Sequence, residues 1–279
     1  MVQRLEGKVV LVTGASRGIG ATLARRFAFE GAHVVAVART VEPTDALPGS
    51  LRETVAAITD AGGQATALPV DLSNTEGRAS VVHEAEAAVA PIDILVNNAA
   101  VTWVFPVVDF PPKRLQLMFE IQVKAPYELA QAVLPGMMER RSGWILNVSS
   151  RASEHPVGPP YQLTEFMSGA SVYGMCKAAL ERLTTALASE VYECGIAVNA
   201  LSPSRVVATW GTEHHSLVPH DRPDLVEYPE EFAEAALALC SGDPRTVTGR
   251  LVRTDDVLAE LGGAVTGLDG QPFVRPENR

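Results

Sequence analysis

The sequence has few cysteines and no long apolar run. Its three cysteines, Cys176, Cys194 and Cys240, are scattered and form no CxxC pair. A disulfide framework and a zinc site are therefore not expected, and a reducing, cytoplasmic setting fits best. The longest apolar runs, such as Val34–Ala38, have the length of a strand and fall short of the roughly 20 residues that cross a membrane. Met1–Lys8 lacks the apolar segment of a signal peptide, so none is expected.

Positive charge is also scarce relative to negative charge. The chain has 23 lysines and arginines against 33 acidic residues, which gives a net charge of −10. An acidic surface is poorly suited to non-specific nucleic-acid binding and to anionic lipid, so neither partner is expected. The composition, with 47% hydrophobic residues, is typical of a globular protein. At 279 residues, one undivided domain is predicted.

Short apolar runs alternate with longer amphipathic stretches through the first two thirds of the chain. The predicted strands are Val9–Thr13, His33–Ala38, Ala65–Val70, Ile92–Val96, Trp144–Ser149 and Ile196–Ala200. The predicted helices are Ile19–Glu30, Leu51–Ala61, Thr75–Ala90, Pro112–Met138 and Val172–Tyr192. Continuous apolar strands joined by helices indicate an α/β fold with a doubly wound parallel sheet of the Rossmann type. Ligands of such sheets bind at the carboxyl ends of the strands.

A glycine-rich turn, Thr13–Gly20, follows the first predicted strand and opens the first predicted helix. Glycines at Gly14, Gly18 and Gly20 remove the Cβ atoms that would keep backbone N–H groups away from an anion. Gly14 is expected to make the turn, Gly18 to admit a pyrophosphate, and Gly20 to allow close packing of helix and sheet. The alternative is a tight turn without a ligand, which the strand–turn–helix context disfavours.

Other short motifs follow this turn in a fixed order. They are Asp71-Leu72, Asn97-Asn98-Ala99, Ser149-Ser150, Tyr173-x-x-x-Lys177 and Val198-Asn199-x-x-Ser202-Pro203. With the G-x-x-x-G-x-G turn, they resemble the short-chain dehydrogenase/reductase family over about residues 7–203. The resemblance implies hydride transfer between a nicotinamide cofactor and a small-molecule carbonyl or secondary alcohol. It divides the single domain, 1–279, into a cofactor-binding and catalytic core at 7–203, a substrate lid at 204–229, and a C-terminal helix, last strand and tail at 230–279.

The end of the second predicted strand bears on the choice of cofactor. An acidic residue there would bind a ribose 2′-hydroxyl and repel a 2′-phosphate, but Arg39 follows the strand and Arg17 lies in the glycine turn. Two guanidinium groups suit a phosphate, so NADP(H) is predicted; the alternative is two solvated surface arginines. The resemblance implies cofactor contacts at Gly14, Ser16, Arg17, Gly18, Ile19, Gly20, Arg39, Asp71, Leu72, Asn98, Ala99, Tyr173, Lys177, Pro203, Ser204 and Val206.

Tyr173 and Lys177 are four residues apart on a predicted helix, so their side chains share a face. A nearby ammonium group and an oxidised nicotinamide ring favour phenolate, which would lower the tyrosine pKa. Tyr173 is then suited to general acid/base catalysis of an alcohol or carbonyl. By the resemblance, Ser150 would hydrogen-bond the substrate oxygen and Lys177 would also hold the nicotinamide ribose.

The chain departs from the family pattern at two places in this constellation. Gln122 stands where the family usually has an asparagine that shapes a helix kink and supports a proton relay; a backbone carbonyl at Gln122 would preserve that relay. Ser150 and Tyr173 are 23 positions apart, more than the family usually has. The extra residues, 154–166, are predicted to form an inserted loop over the substrate cleft, and a solvent loop without contacts is the alternative. Tyr161 lacks the following lysine of a catalytic tyrosine.

The last third of the chain is less regular. The lid contains aromatic and histidine residues at Trp210, His214, His215, His220 and Tyr228. The histidines lack helical i, i+4 spacing, so they are expected to be lid or surface residues without a metal. An amphipathic helix is predicted over Pro229–Ser241. Val247–Leu251 resembles the family's last strand, and an extra helix is predicted over Val252–Leu258. The resemblance also implies a homodimer or homotetramer.

Two other functions remain open from the sequence. One is a sensor or scaffold that binds the cofactor with little catalysis, which Tyr173, Lys177 and Ser150 disfavour and Gln122 mildly favours. The other is an epimerase or dehydratase of the extended branch, which uses a different glycine spacing and a longer C-terminal region. Aromatic and apolar residues suggest a moderately apolar substrate pocket; they are Val101, Trp103, Phe105, Tyr161, Phe166 and Trp210.

Overall fold

The computed structural model describes residues 3–44, 48–161, 169–214 and 217–276. The strands are β1 (Val9–Thr13), β2 (His33–Ala38), β3 (Gln64–Pro69), β4 (Ile94–Asn97), β5 (Gly143–Val148), β6 (Ile196–Ser202), β7 (Val206–Val207), β8 (Val226–Glu227) and β9 (Leu251–Arg253). In these described ranges, seven parallel strands form one sheet in the order β3-β2-β1-β4-β5-β6-β9. β7 and β8 form a separate parallel pair. The predicted doubly wound parallel sheet is therefore confirmed.

Helices cover both faces of the sheet. They are α1 (Gly18–Phe29), α2 (Leu51–Asp60), α3 (Thr75–Ala88), α4 (Pro112–Phe119), α5 (Ala125–Arg140), α6 (Ser171–Val191), α7 (Trp210–His214), α8 (Pro229–Ser241) and α9 (Thr254–Glu260). Successive strand residues alternate between two buried clusters. Val10 packs with residues of α1, α2 and α8, whereas Leu11 packs with residues of α3, α5 and α6. This two-sided burial explains the uninterrupted apolar runs of the strands.

The predicted elements of the first two thirds of the chain are confirmed, each within two residues of its expected bounds. The helix predicted over Pro112–Met138 is interrupted, because Glu120–Lys124 forms a π-helical turn between α4 and α5. The helix predicted over Pro229–Ser241 is confirmed as α8, and the predicted extra helix near the C-terminus is confirmed as α9.

The last strand was predicted over Val247–Leu251, and this is wrong. The strand is β9, which begins at Leu251 and pairs with the end of β6. The Thr248 hydroxyl instead accepts the Val198 amide at 3.0 Å, and Gly249, at φ 70°, donates its amide to the Val198 carbonyl. These residues form a loop against β6. β9 is a partly exposed edge strand ending in Arg253, so an apolar pattern does not locate it.

Candidate active site

The glycine-rich turn has the backbone that its sequence predicts. Gly14 and Gly18 have φ angles of 68° and 54°, a region that other residues rarely adopt. A Cβ atom at Gly14 would lie 2.9 Å from Asn98 Nδ2, and one at Gly20 would lie 2.3 Å from the Gly14 carbonyl oxygen. The turn therefore requires glycine both for its conformation and for its packing. Ser16 is buried, and Ile19 packs against the core.

Thr13 and Asn98 fix this turn to the end of β4. The Thr13 hydroxyl accepts the amides of Asn98 and Ala99 at 3.0 and 3.1 Å. The Asn98 side chain donates to the Thr13 carbonyl at 2.8 Å. Asn97, by contrast, is buried and donates its side-chain amide to Asn147 at 2.8 Å. Thr13 was not predicted, although a hydroxyl residue ending a buried strand could have indicated it.

Arg17 and Arg39 lie close together beside the turn. Burial and the nearby Arg39 charge both lower the pKa of Arg17. Arg17 Nη2 donates to the Gly49 carbonyl at 2.9 Å, while its buried Nε has no hydrogen-bond partner among the described residues. Repulsion between the two guanidinium groups would be relieved by an anion between them. The residues present thus fit a phosphate group.

Asp71 and Leu72 follow β3 and begin the approach to α3. Asp71 Oδ1 accepts both the amide and the hydroxyl of Ser73, at 2.9 and 2.8 Å. Asp71 itself is exposed, so its carboxylate faces solvent at this edge. Leu72 is 6% exposed and packs in the core. Its side chain has a packing role in this structure.

Tyr173 and Ser150 come together despite the 23 positions between them. Burial raises the pKa of Tyr173, and side-chain hydrogen bonds with Ser150 and Thr102 oppose that rise. Ser150 follows β5 and caps a short 3₁₀ turn, where its hydroxyl accepts the Ala152 amide at 3.2 Å. Thr102, which follows β4, was not predicted. Its polar side chain near the end of a strand was the available signal.

Lys177 lies beneath Tyr173 on α6 and is 2% exposed. Its Nζ lies 5.6 Å from the centroid of the Tyr173 ring and donates to the Val148 carbonyl at 2.8 Å. Burial lowers the pKa of Lys177 to about 8, opposed by the Cys176 thiol and by Glu181. The lysine is thus a buried cation at the tyrosine's side, as its i, i+4 spacing predicts.

Glu181 is a further residue of this helix that sequence reasoning missed. One of its carboxylate oxygens accepts the hydroxyls of Ser149 at 2.6 Å and Ser153 at 2.7 Å. These serines bracket Ser150, so the carboxylate fixes the backbone on both sides of it. Glu181 is four residues after Lys177 and shares its helix face, which is a signal that the sequence did contain.

Gln122 lies within the π-helical turn and is 1% exposed. Its Nε2 donates to the Val101 carbonyl at 3.0 Å, while its buried Oε1 has no partner among the described residues. The resemblance implied a helix kink at this position, and the π-helical turn is a distortion of that kind. The extra methylene of glutamine lets the side chain reach the segment that follows β4.

The turn after β6 completes the edge. Pro203 and Ser204 follow β6 directly, and Val206 begins β7. The Ser204 amide donates to the Glu227 carboxylate at 2.8 Å, and the Ser204 hydroxyl accepts the Asp255 amide at 2.9 Å. The predicted site residues outside the helices therefore lie at the carboxyl ends of β1 to β6, with Leu72 turned inward. Gln122 in the π-helical turn and Tyr173 and Lys177 on α6 complete the predicted set.

The predicted apolar pocket is only partly assembled by the described residues. Val101 and Trp103 pack with Tyr173 against a small buried cluster. Tyr161 is 62% exposed, and Trp210 stacks on His214 with centroids 4.7 Å apart. Residues 162–166 of the predicted insertion, Phe166 among them, lie outside the described residues.

The histidines of residues 204–229 are not arranged as metal ligands where the structure describes them. His220 lies 2.9 Å from Glu213, and His215 lies outside the described residues. Within the described ranges, no group of three or more potential ligands could hold a metal ion.

Burial raises the pKa of Cys176 to about 11, which suits a packing thiol rather than a nucleophile. No described helix is long and apolar enough to span a bilayer.

Known proteins are similar to this chain in sequence and fold. The model of the short chain dehydrogenase family matches residues 8–216. The ketoacyl reductase HetN of Nostoc sp. is 36% identical over 74% of this chain and 66% of its own length. L-xylulose reductase of Mesocricetus auratus is 32% identical over 90% of this chain and 96% of its own. A metagenomic short-chain oxidoreductase solved in complex with NADP has a TM-score of 0.73 at 31% identity, covering 90% of this chain and 98% of that one.

The chain therefore belongs to the short-chain dehydrogenase/reductase family, a family of NAD(P)-dependent oxidoreductases. The chain spans 60% to 68% of the length of three curated relatives.

Proposed function

We propose that this protein transfers hydride between NADP(H) and a carbonyl compound or secondary alcohol, with Tyr173 as the general acid/base. The observation that supports this most is the contact of the Tyr173 hydroxyl with Ser150 beside the buried Lys177 ammonium group. Relatives named ketoacyl reductase and L-xylulose reductase support a carbonyl substrate.

Each residue of this cluster has a distinct part in the proposal. When bound, NADP(H) supplies or accepts the hydride at the substrate carbon. Ser150 donates a hydrogen bond to the substrate oxygen, and Tyr173 gives that oxygen a proton during reduction or removes it during oxidation. Lys177 stabilises the phenolate form of Tyr173 by its charge. Gln122 supports the return of a proton from solvent through its backbone carbonyl, as its place in the π-helical turn suggests.

The proposed preference for NADP(H) depends on Arg17 and Arg39. Their mutual repulsion and the unpartnered Arg17 Nε favour a phosphate between them, which fits a 2′-phosphate. The proposed cofactor contacts are Gly14, Ser16, Arg17, Gly18, Ile19, Gly20, Arg39, Asp71, Leu72, Asn98, Ala99, Tyr173, Lys177, Pro203, Ser204 and Val206. A neighbour in complex with NADP supports this preference.

The cellular setting and the assembly of the protein are also part of the proposal. Cys176, Cys194 and Cys240 are free thiols, which suits a reducing cytoplasm. Residues 204–229 would cover the substrate, and a homodimer or homotetramer is proposed from the family resemblance alone.

The direct test is consumption of NADPH by the purified protein in a panel of aldehydes, ketones, keto sugars and ketoacyl esters. We expect at least one class to oxidise NADPH faster than NADH under the same conditions. Tight NADPH binding without turnover on any class would contradict the proposal and favour a cofactor sensor.

A further inference from the structure

Glu227 is a fully buried carboxylate that has no part in the proposed chemistry. It lies on β8 and is 0% exposed. One of its oxygens accepts the backbone amides of Ser204 at 2.8 Å and Arg205 at 3.2 Å. The Thr254 hydroxyl on α9 is close enough to oppose the rise in the carboxyl pKa, while the second oxygen, Oε1, is buried without a hydrogen-bond partner among the described residues. A buried acid that binds two successive amides fixes the backbone that carries them.

The same turn is held from its outer side by arginine contacts. Arg205 donates to the Val226 carbonyl at 3.0 Å and to both oxygens of Asp255 at 2.6 and 2.9 Å. Arg151 donates to the Ser204 carbonyl at 3.3 Å. These outer contacts are partly exposed and contribute little each, so Glu227 is the interior anchor of the turn.

The segment that Glu227 anchors crosses the cleft. It leaves β6 at the edge where Ser149 donates its amide to the Leu201 carbonyl, beside Ser150. A few residues later, Thr209 faces the glycine-rich turn, because a Cβ atom at Gly18 would lie 3.5 Å from Thr209 Cγ2. Residues 203–209 therefore run from the Ser150 side of the cleft to the turn proposed to bind the pyrophosphate.

We propose that Glu227 is a positioning residue that latches residues 203–206 over the cofactor cleft, and that protonation of its carboxyl group tightens this latch. The cofactor part of this inference rests on the proposed function, since Pro203, Ser204 and Val206 are proposed cofactor contacts. The latch itself depends only on contacts within the chain.

The direction of the effect follows from burial. Burial raises the pKa of Glu227 to about 7, opposed by Thr254, by the two amides and by the Arg205 charge. If the turn lifts, Glu227 meets water and regains an ordinary carboxyl pKa, so the closed turn holds the proton more tightly than the open turn. Closing is therefore favoured as the pH falls through 7, and opening is favoured above it.

Other charged groups surround this site without replacing Glu227. Arg205 lies in the turn, Asp255 is on α9 and binds Arg205, and Arg151 follows β5. Glu231 on α8 is paired with Arg275. The arginines keep their charge between pH 6 and 8, so the pH response of the turn is assigned to Glu227.

The first test is hydrogen exchange of the Ser204 and Arg205 amides in the cofactor-free protein at pH 6 and pH 8, corrected for intrinsic rates. The pKa difference gives about tenfold more protection at pH 6 than at pH 8. Glu227→Gln, a neutral near-isostere, should hold the pH 6 protection at both values. Asp224→Asn removes an exposed carboxylate from the same lid and should keep the wild-type response. Equal protection at both pH values in the wild type would overturn the latch, whether or not the variant folds.

The second test is the rate at which NADPH dissociates, measured by stopped-flow fluorescence. We expect release several-fold faster at pH 8 than at pH 6 in the wild type and in Asp224→Asn, and slow at both values in Glu227→Gln. The 2′-phosphate titrates in the same range, but equally in all three proteins. An unchanged profile in Glu227→Gln would overturn the link to the cofactor. Failure of the wild type to bind NADPH would instead overturn the proposed function and leave the exchange result standing.

Discussion

At the scale of single residues, burial explains the candidate site's electrostatics. Lys177 is enclosed and bonded to the Val148 carbonyl, and its pKa is lowered to about 8. Tyr173 is partly buried, and this burial raises its pKa in the cofactor-free protein. The sequence led us to expect a lowered tyrosine pKa from its neighbours' charges. In the cofactor-free protein burial exceeds that effect, so the lowering would require the positive nicotinamide ring.

Arg39→Ala should weaken NADPH binding by about tenfold while changing NADH binding less than twofold. The reason is the loss of one charge-assisted contact to a 2′-phosphate, which contributes roughly 1.5 kcal/mol for an exposed arginine. Arg25→Ala is the matched control, because Arg25 is an exposed arginine further along α1. Fluorescence titration with both cofactors measures the effect. Equal weakening of NADPH and NADH would contradict the proposed phosphate site.

The local sequence could identify these residues only where chemistry and position coincide. Tyr173, Lys177 and Arg39 could be predicted because each is an unusual polar residue at a strand end or at helical spacing. Glu227 was not, because its burial depends on a turn that begins 23 positions earlier, at Ser204. A glutamate in a polar lid segment gives no local sign that two distant amides enclose it.

At the scale of elements, the apolar period predicts the strands and helices that are buried on the sheet. β1 and β2 have their predicted bounds because their residues are almost wholly buried. β9 was misplaced because an edge strand with an exposed Leu251 needs no apolar pattern. The apolar periodicity likewise does not reveal the π-helical turn at Glu120–Lys124. One extra residue in a helical turn leaves the flanking helices α4 and α5 amphipathic.

Gln122→Asn tests the role of this π-helical turn. If the backbone carbonyl supports the relay, kcat should stay within about threefold, whereas loss of the bond to Val101 costs about 1 kcal/mol of stability, or roughly 2–4 °C in Tm. Gln116→Asn on the exposed face of α4 is the control. Steady-state kinetics and thermal melting are the measurements. A well-folded but inactive Gln122→Asn would show that the side chain itself is required.

At the scale of the whole molecule, the residues of the candidate site lie along one edge of the parallel sheet. The glycine-rich turn, Arg39, Asn98, Ser150 and the turn after β6 come from five different strand ends, and α6 adds Tyr173 and Lys177. Parallel strands with right-handed crossovers place every carboxyl end on the same side. The sequence could therefore predict where the site lies, but the shape of the substrate pocket depends on loops that no period encodes.

The central claim is that the Tyr173 hydroxyl transfers the proton in a hydride-transfer reaction with NADP(H). Tyr173→Phe tests it most directly, with Tyr161→Phe as the control because Tyr161 is exposed and followed by no lysine at the catalytic spacing. With a carbonyl substrate from the panel, Tyr173→Phe should bind NADPH within about twofold of the wild type and lose at least about a hundredfold in kcat/KM, the contribution of a general acid. Turnover within tenfold of the wild type, with the fold intact, would contradict the account.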